Sequence, residues 1–156
     1  ITEDRAKRVA FSDPYCNAGL GVIIRNEFKG KINSIDDLVG RTICGQIGTS
    51  GALYASTQIK DANVTQFNSA PEAFLELNKG GCDALINDRP VLEYYMATTS
   101  DNNLTLLPDY ITAEQYGIVM NKNDKELIEL VKKGFDSIKA DGTYQAIYTK
   151  WFGKQE

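Results

Sequence analysis

The sequence contains no histidine among its 156 residues. That absence removes the Ser-His-Asp and Cys-His arrangements of nucleophilic enzymes, and every metal site that uses imidazole ligands. Acid–base chemistry would have to come from lysines or from carboxylates such as Asp88 and Glu114. The neighbouring acids Asp36 and Asp37 fit the first turn of a helix better than a catalytic pair. No catalytic residue, cofactor or metal is predicted.

Cysteine is scarce as well: the sequence has three, Cys16, Cys44 and Cys82, with neither a CxxC nor a CxxH spacing. An odd count with these spacings supports neither a zinc site nor a disulfide framework. Cys44 and Cys82 fall in apolar strand segments, where we expect them to act as small buried hydrophobic residues. A single bridge between these two stays open.

Long apolar runs and basic clusters are also missing. No stretch reaches the length that crosses a bilayer, and the net charge is −4. The densest basic segment, Arg-Ala-Lys-Arg at 5–8, is short and lies beside acids, so nucleic acid is not an expected partner. The sequence begins at Ile1 without a signal peptide, as expected of a mature, processed or partial chain.

Short apolar segments alternate with amphipathic ones along the chain. Predicted strands lie at 19–25, 42–47, 64–67, 82–86, 104–107 and 116–120. Ser34 and Ser69, each with an acid three residues later, are typical helix caps. A long amphipathic helix ends at Gly142, and an aromatic helix at 143–153 follows, in which Trp151 is expected in the core or at a helix-packing surface. This alternation indicates an α/β fold with a mostly parallel sheet.

One stretch, Thr-Ile-Cys-Gly-Gln-Ile-Gly-Thr-Ser-Gly at 42–51, predicts a strand that passes into a helix through small residues. Backbone N–H groups and the dipole at such a helix N-terminus favour an anion, for example the carboxylate of a small ligand. Gly48 with Thr49 or Ser50 can equally be a tight turn and a helix cap without any ligand.

Asp88 follows the next apolar strand and precedes Pro90, so it is either a helix N-cap or a functional carboxylate. In an open parallel sheet, ligands bind beyond the carboxyl ends of the strands. The loop at 48–50 and Asp88 both fall at such ends. An anion-binding turn at one strand end and a carboxylate at another suit a zwitterion.

Taken in order, these segments resemble the amino-acid-binding proteins of polar amino acid ABC importers, periplasmic solute-binding proteins of type 2 similar to glutamine-binding proteins. The resemblance is carried by Ile-Thr-Glu-Asp-Arg at 1–5, Phe-Ser-Asp-Pro-Tyr at 11–15, Gln-Ile-Gly-Thr-Ser at 46–50, Ala-Leu-Ile-Asn-Asp at 84–88, Glu-Gln-Tyr-Gly-Ile at 114–118, Gly-Thr-Tyr at 142–144 and Trp-Phe-Gly at 151–153. It implies two α/β lobes that close over an amino acid. Residues 1–19 would be a remnant of lobe 1, residues 20–111 lobe 2, and residues 112–156 the return segment of lobe 1.

The resemblance also implies a site and partners. The loop at 48–50 would donate N–H groups to the ligand carboxylate, and Asp88 would receive the ammonium group. The uncharged amides of Gln46 and Asn87 favour a neutral polar ligand, with glutamine preferred. The ligand-binding residues expected are Gln46, Gly48, Thr49, Ser50, Asn87 and Asp88. The protein would deliver its ligand to the membrane permease of an ABC importer, in the periplasm or outside the cell, held at the surface by a lipid anchor or by fusion to the permease.

Members of this family usually begin with a strand-rich segment that has no counterpart before Ile1. That segment carries ligand-stacking aromatic residues and a Ser/Arg pair that clamps the ligand carboxylate. The chain is therefore expected to hold half of the site, and its uncovered apolar residues are expected to cause self-association or a domain swap through 112–156. Two alternatives stay open: an enzyme on the same scaffold, such as a dehydratase, and the extracellular amino-acid-sensing domain of a receptor.

Overall fold

The computed structural model describes residues 1–99 and 103–152, the last without its side chain, and divides into two compact units. We call residues 1–18 together with 114–156 unit 1, and residues 19–113 unit 2. That these units correspond to the two predicted lobes stays a prediction. The predicted end of the last helix at Gly153 lies outside the described residues.

The described residues form strands and helices in alternation through unit 2 and short paired strands in unit 1. The strands are β1 (Ala10–Phe11), β2 (Cys16–Asn17), β3 (Leu20–Arg25), β4 (Thr42–Gln46), β5 (Asn63–Phe67), β6 (Ala84–Asp88), β7 (Leu104–Leu106), β8 (Gln115–Tyr116) and β9 (Val119–Met120). The α-helices are α1 (Glu3–Ala6), α2 (Ser50–Gln58), α3 (Ala70–Lys79), α4 (Arg89–Thr98), α5 (Lys125–Ala140) and α6 (Thr143–Phe152). Two 3₁₀ helices, Asn26–Phe28 and Ile35–Leu38, lie between β3 and β4.

Unit 2 is built on a five-stranded sheet in the order β5-β4-β6-β3-β7. β4 runs parallel to both β5 and β6, whereas β3 runs antiparallel to both β6 and β7. The sheet is therefore mixed, and β3 alone opposes the direction of the other four strands. The alternation pattern missed this reversal because the connection from β3 to β4 contains only 3₁₀ turns, without the α-helix of a parallel crossover.

The sheet is the middle layer of unit 2, with a hydrophobic cluster on each face. Successive residues of one strand enter opposite clusters: Val22 and Ile24 pack on one side and Ile23 on the other. Helix α2 covers the first face, and α3 and α4 cover the second. Strands buried on both faces read as continuous apolar runs, which is why the sequence marked them clearly.

Both predicted helix caps are present. Ser34 and Asp37 form a capping box at the second 3₁₀ helix, and the N–H groups of Asn33 and Ser34 hold the pKa of the Asp37 carboxyl below its usual range. Ser69 and Glu72 form the second box, at the start of α3. The box at Ser69 fixes where α3 begins, just beyond the end of β5.

Cys44 and Cys82 are joined by a disulfide, with Cα atoms 5.8 Å apart. The prediction that they are buried is confirmed, since their exposed fractions are 0% and 1%. The bridge between them, which the sequence left open, is present in the structure. The spacing signal failed because the 37 residues between them fold back through α2, β5 and α3 to bring the two together.

Unit 1 contains two short antiparallel sheets, β1 with β9 and β2 with β8. The single strand predicted at 116–120 is divided between β8 and β9. Aromatic side chains hold α5 and α6 to Tyr15, the residue before β2: the Phe135 ring lies 5.9 Å from the Tyr15 ring, and the Tyr144 hydroxyl donates to the Tyr15 carbonyl. Tyr15 is therefore a packing residue of unit 1.

Much of the apolar surface of α5 and α6 is uncovered. None of the residues of α5 is buried, although its sequence is strongly amphipathic. Trp151 in α6 is 54% exposed. It is therefore not a core residue of this chain, and its exposure agrees with the uncovered apolar surface expected for 112–156. A pair of neighbouring helices buries only the strip between them, and Trp151 lies outside that strip. Among the described residues, no helix is both long and apolar enough to span a membrane.

We expect reduction of the Cys44–Cys82 bridge to destabilise unit 2 by about 4 kcal/mol, because the bridge closes a long loop and so restricts the unfolded chain. The measurement is urea unfolding followed by circular dichroism, with and without reductant. Cys16→Ala is the matched control, since Cys16 is buried but unbridged and its variant should keep the full response to reductant. Equal unfolding midpoints in both conditions would contradict this account.

Candidate functional site

The loop after β4 is fixed by the Thr49 side chain. Gly48 has φ of 75°, a left-handed conformation that glycine adopts without strain. Thr49 is the N-cap of α2: its hydroxyl accepts from the Ala52 N–H at 3.3 Å and donates to the Gln46 carbonyl at 2.7 Å. The prediction that Thr49 can serve as a helix cap is thus confirmed. The cap aims the first turn of α2, with its N–H groups and positive dipole end, at the carboxyl edge of the sheet.

Gly51 is the point at which α2 touches the end of β6. A methyl group built on Gly51 would lie 2.6 Å from the Ile86 carbonyl oxygen and 3.3 Å from the Asn87 Cα. Real side chains do not fit at such distances, so only glycine allows this packing. Since β4 and β6 are parallel neighbours, with Cys44 opposite Leu85, their carboxyl ends already lie side by side. The contact at Gly51 brings the start of α2 onto the same edge.

Asn87 and Asp88 end β6 at that edge. Asn87 is buried, with 5% exposed, and its Oδ1 accepts from the Asp88 N–H at 2.9 Å. Asp88 is half-buried and stands at the N-cap position of α4, but its side chain makes no capping hydrogen bond. The structure therefore does not support the capping explanation for Asp88.

Gln46 ends β4 and turns toward the other neighbour, β5. Its Nε2 donates to the Asn68 carbonyl at 3.4 Å, beyond the end of β5. A cavity of about 230 Å³ opens on this side of α2, lined by Gly48, Thr49, Ala52, Leu53, Ser56 and Gln66. Of the six predicted residues, Gly48 and Thr49 line this cavity, and the Gln46 amide also points to the β5 side. Asn87 contacts the start of α2 through Gly51. That the loop 48–50 and Asp88 act on one ligand stays a prediction.

Two residues important for this geometry were not predicted. Gly51 was read as one more small residue of the turn, because close backbone contact with a distant strand leaves no local signal. Arg89 follows Asp88 and has a side chain that is only 14% exposed. A charged residue in the first turn of a helix is ordinarily at the surface, so its burial was not visible in the sequence.

The arrangement suits binding better than bond-making chemistry. One side of the edge offers backbone N–H donors and a helix dipole for an anion, and the other offers a carboxylate for a cation. A zwitterion whose ammonium and carboxylate groups are bonded to the same carbon atom, such as the main-chain end of an amino acid, matches both sides. The aromatic side chain of Tyr54, in α2, packs against the core beneath that helix, so Tyr54 is a packing residue of unit 2.

Comparison with known proteins gives a consistent picture. The family model described as bacterial extracellular solute-binding proteins, family 3, matches residues 1–154. The chain is 33% identical over 153 residues to the ABC transporter glutamine-binding protein GlnH of Bacillus subtilis (strain 168). The matched region covers 97% of this chain and 54% of that protein. The chain is 31% identical over 157 residues to the ABC transporter arginine-binding protein 1 of Escherichia coli (strain K12), covering 97% and 63%.

Among solved structures, a mutant of ArgBP from T. maritima matches with a TM-score of 0.90 and 35% identity, covering 99% of this chain and 66% of that one. This match confirms the predicted α/β fold of a periplasmic binding protein, present in part. The chain spans about half to two thirds of the length of these relatives. Their names are those of binding proteins for different amino acids and not of enzymes, which confirms the predicted non-catalytic class.

Proposed function

We propose that this chain, which belongs to the bacterial extracellular solute-binding proteins of family 3, holds the main-chain groups of a polar amino acid at the carboxyl edge of unit 2. The observation that carries this function is the contact at Gly51, through which the first turn of α2 and the end of β6 share one edge. The parallel pairing of β4 and β6 sets the two strand ends side by side, and this contact brings the start of α2 against the strand end that carries Asp88.

Each charge of the ligand has a counterpart at this edge. The backbone N–H groups of the loop at 48–50 receive the carboxylate, and Asp88 receives the ammonium group. Hydrogen bonds that involve a charged group contribute about 1.5–3 kcal/mol each, so the two contacts together supply about 3–6 kcal/mol. A micromolar Kd corresponds to about 8 kcal/mol, so the two contacts supply about half of such an affinity. The buried Asn87 amide fixes the backbone of Asp88 and so orients the carboxylate.

The proposed amino acid is neutral and polar, with glutamine preferred. Asn87 brings an uncharged amide to the edge, and the neighbouring cation, Arg89, is bonded elsewhere, to Glu93 and to the carbonyls of Leu107 and Pro108. A charged ligand side chain would therefore lose its hydration without gaining a counter-charge from these residues.

The whole protein is proposed to close two lobes over this amino acid and to deliver it to the membrane permease of an ABC importer. Residues 112–156 then belong to the first lobe and 20–111 to the second. The proposed location is the periplasm or the cell exterior, with attachment by a lipid anchor or by fusion to the permease. The Cys44–Cys82 bridge supports an oxidising compartment, where disulfides persist.

Calorimetry on the whole gene product is expected to show glutamine bound at least about tenfold more tightly than arginine, because a guanidinium would be desolvated without a partner. Asn87→Asp is the matched variant: it adds one negative charge at the edge with little change of size, and should move the preference toward arginine. Tighter binding of arginine than of glutamine by the unaltered protein would overturn the specificity. If no amino acid gives a binding heat, the proposed function is overturned.

For the 156-residue chain alone we propose self-association, with residues 112–156 in the interface and possible exchange of that segment between copies. Large apolar side chains stand exposed there: Val119 at 59%, Leu130 at 66%, Ile147 at 51% and Trp151 at 54%. Apolar surface of this kind is normally covered in a stable protein. A second copy supplies the missing cover.

Light scattering at micromolar concentration should therefore give a mass of at least twice that of the monomer. Leu130→Glu should shift the chain toward the monomer, because it places a charge on the uncovered face. Leu53→Glu is the control, since Leu53 is equally exposed at 63% but lies on α2 in unit 2. A compact monomer of the unaltered chain would contradict this proposal.

A further inference from the structure

Arg89 makes an unusually complete set of contacts for a charged residue beside a candidate binding carboxylate. Its Nε donates to Glu93 Oε1 at 2.8 Å, and its Nη1 donates to the carbonyls of Leu107 and Pro108 at 2.9 and 2.7 Å. Its guanidinium carbon lies 4.8 Å from the centre of the Tyr110 ring. The planar fork of arginine is what allows one side chain to serve carbonyls, a carboxylate and a ring together.

These contacts tie Arg89 to the segment through which the chain leaves unit 2. Leu107 follows β7, and the chain passes out of unit 2 after residue 113. The carbonyls of Leu107 and Pro108 are the atoms that Arg89 binds. A buried guanidinium that lost them would leave unsatisfied donors, so the segment and the side chain fix each other.

The backbone of Arg89 is tied to the segment through which the chain enters unit 2. Its N–H donates to the Gly19 carbonyl at 2.9 Å, and Leu20 lies opposite Asp88 in the β3–β6 register. The entering and leaving segments also bind each other: the Ile111 N–H donates to the Leu20 carbonyl at 2.8 Å, and the Leu20 N–H donates to Thr112 Oγ1 at 2.9 Å.

Gly19 shows how closely these two segments pack. A methyl group built on Gly19 would lie 2.0 Å from the Thr112 carbonyl oxygen, a distance that no side chain tolerates. The two passages between the units therefore behave as one packed pair at this end of unit 2, and Arg89 holds that pair from both sides.

We propose that Arg89 is a positioning residue that couples Asp88 to both passages of the chain between the two units. This role rests on the proposed function, in which Asp88 binds the ligand ammonium group. A ligand that fixes the position of Asp88 also restricts Arg89, the next residue along the chain. Arg89 in turn restricts Gly19 through its N–H and residues 107–108 through its guanidinium. Because coupling is reciprocal, any change at the passages alters the affinity at Asp88.

Backbone amide exchange on the whole gene product tests this coupling without a ligand. Arg89→Lys keeps the charge but removes the fork, and should accelerate exchange of the Leu107 and Ile111 N–H groups by roughly 10-fold to 100-fold, as expected for loss of hydrogen bonds to a charged group. The Ile47 and Asn63 N–H groups, which bond to Phe67 and Arg41 at the far side of the sheet, should be unchanged.

Arg25→Lys is the matched control variant. Arg25 is similarly sheltered, with 21% exposed, packs over the Phe28 ring and pairs with Asp83, but it lies at the last position of β3, away from the edge that carries Asp88. It should leave exchange at Leu107 and Ile111 unchanged. If Arg89→Lys fails to fold, Glu93→Gln loosens the same guanidinium and should accelerate the same two amides. The positioning role is overturned if exchange at both amides is unchanged in Arg89→Lys, or in Glu93→Gln where Arg89→Lys does not fold.

Addition of glutamine separates this role from the proposed function. In the unaltered protein, glutamine should slow exchange at 48–50 and also at Leu107 and Ile111. In Arg89→Lys it should slow exchange at 48–50 alone. Equal slowing at Leu107 and Ile111 in both proteins overturns the coupling while the function stands. No slowing anywhere in the unaltered protein overturns the proposed function, and the ligand-free comparison still decides whether Arg89 holds the two passages.

Discussion

The close packing of α2 on the end of β6 is the constraint on which the candidate site depends. Gly51 leaves no room for a side chain against the Ile86 carbonyl and the Asn87 backbone. This contact turns two ordinary features, a capped helix start and an acid after a strand, into one edge with donors on one side and a carboxylate on the other. The Thr49 cap and the parallel β4–β6 pairing aim both features at that edge, and the Cys44–Cys82 bridge anchors β4 below it.

The elements of unit 2 and the family could be predicted because their signals are local or ordered along the chain. Strands buried on both faces read as apolar runs, capping boxes such as Ser69 with Glu72 mark helix starts, and the order of weak motifs is specific where each alone is not. The loop after β4 and Asp88 were predicted as site residues in this way, since strand ends are where α/β sheets place their ligands.

What the sequence could not reveal depends on contacts between distant residues. The reversal of β3, the bridge from Cys44 to Cys82 and the burial of Arg89 each involve partners far along the chain. Trp151 is a different case. Its helical pattern indicates an apolar face, but the pattern does not show what covers that face. Amphipathic periodicity predicts which side of a helix seeks cover, and tertiary structure decides whether it obtains it.

The most direct measurement is calorimetry of glutamine binding by Asp88→Ala, made on the whole gene product alongside its unfolding free energy. The account predicts a loss of about 2–5 kcal/mol in binding, as for removal of one partner of a buried charge pair, because Asp88 receives the ligand ammonium group. Asp88→Asn, which keeps the size and removes the charge, should lose affinity likewise. Unchanged affinity together with a loss of about 1 kcal/mol in stability would instead identify Asp88 as a helix cap and contradict the account.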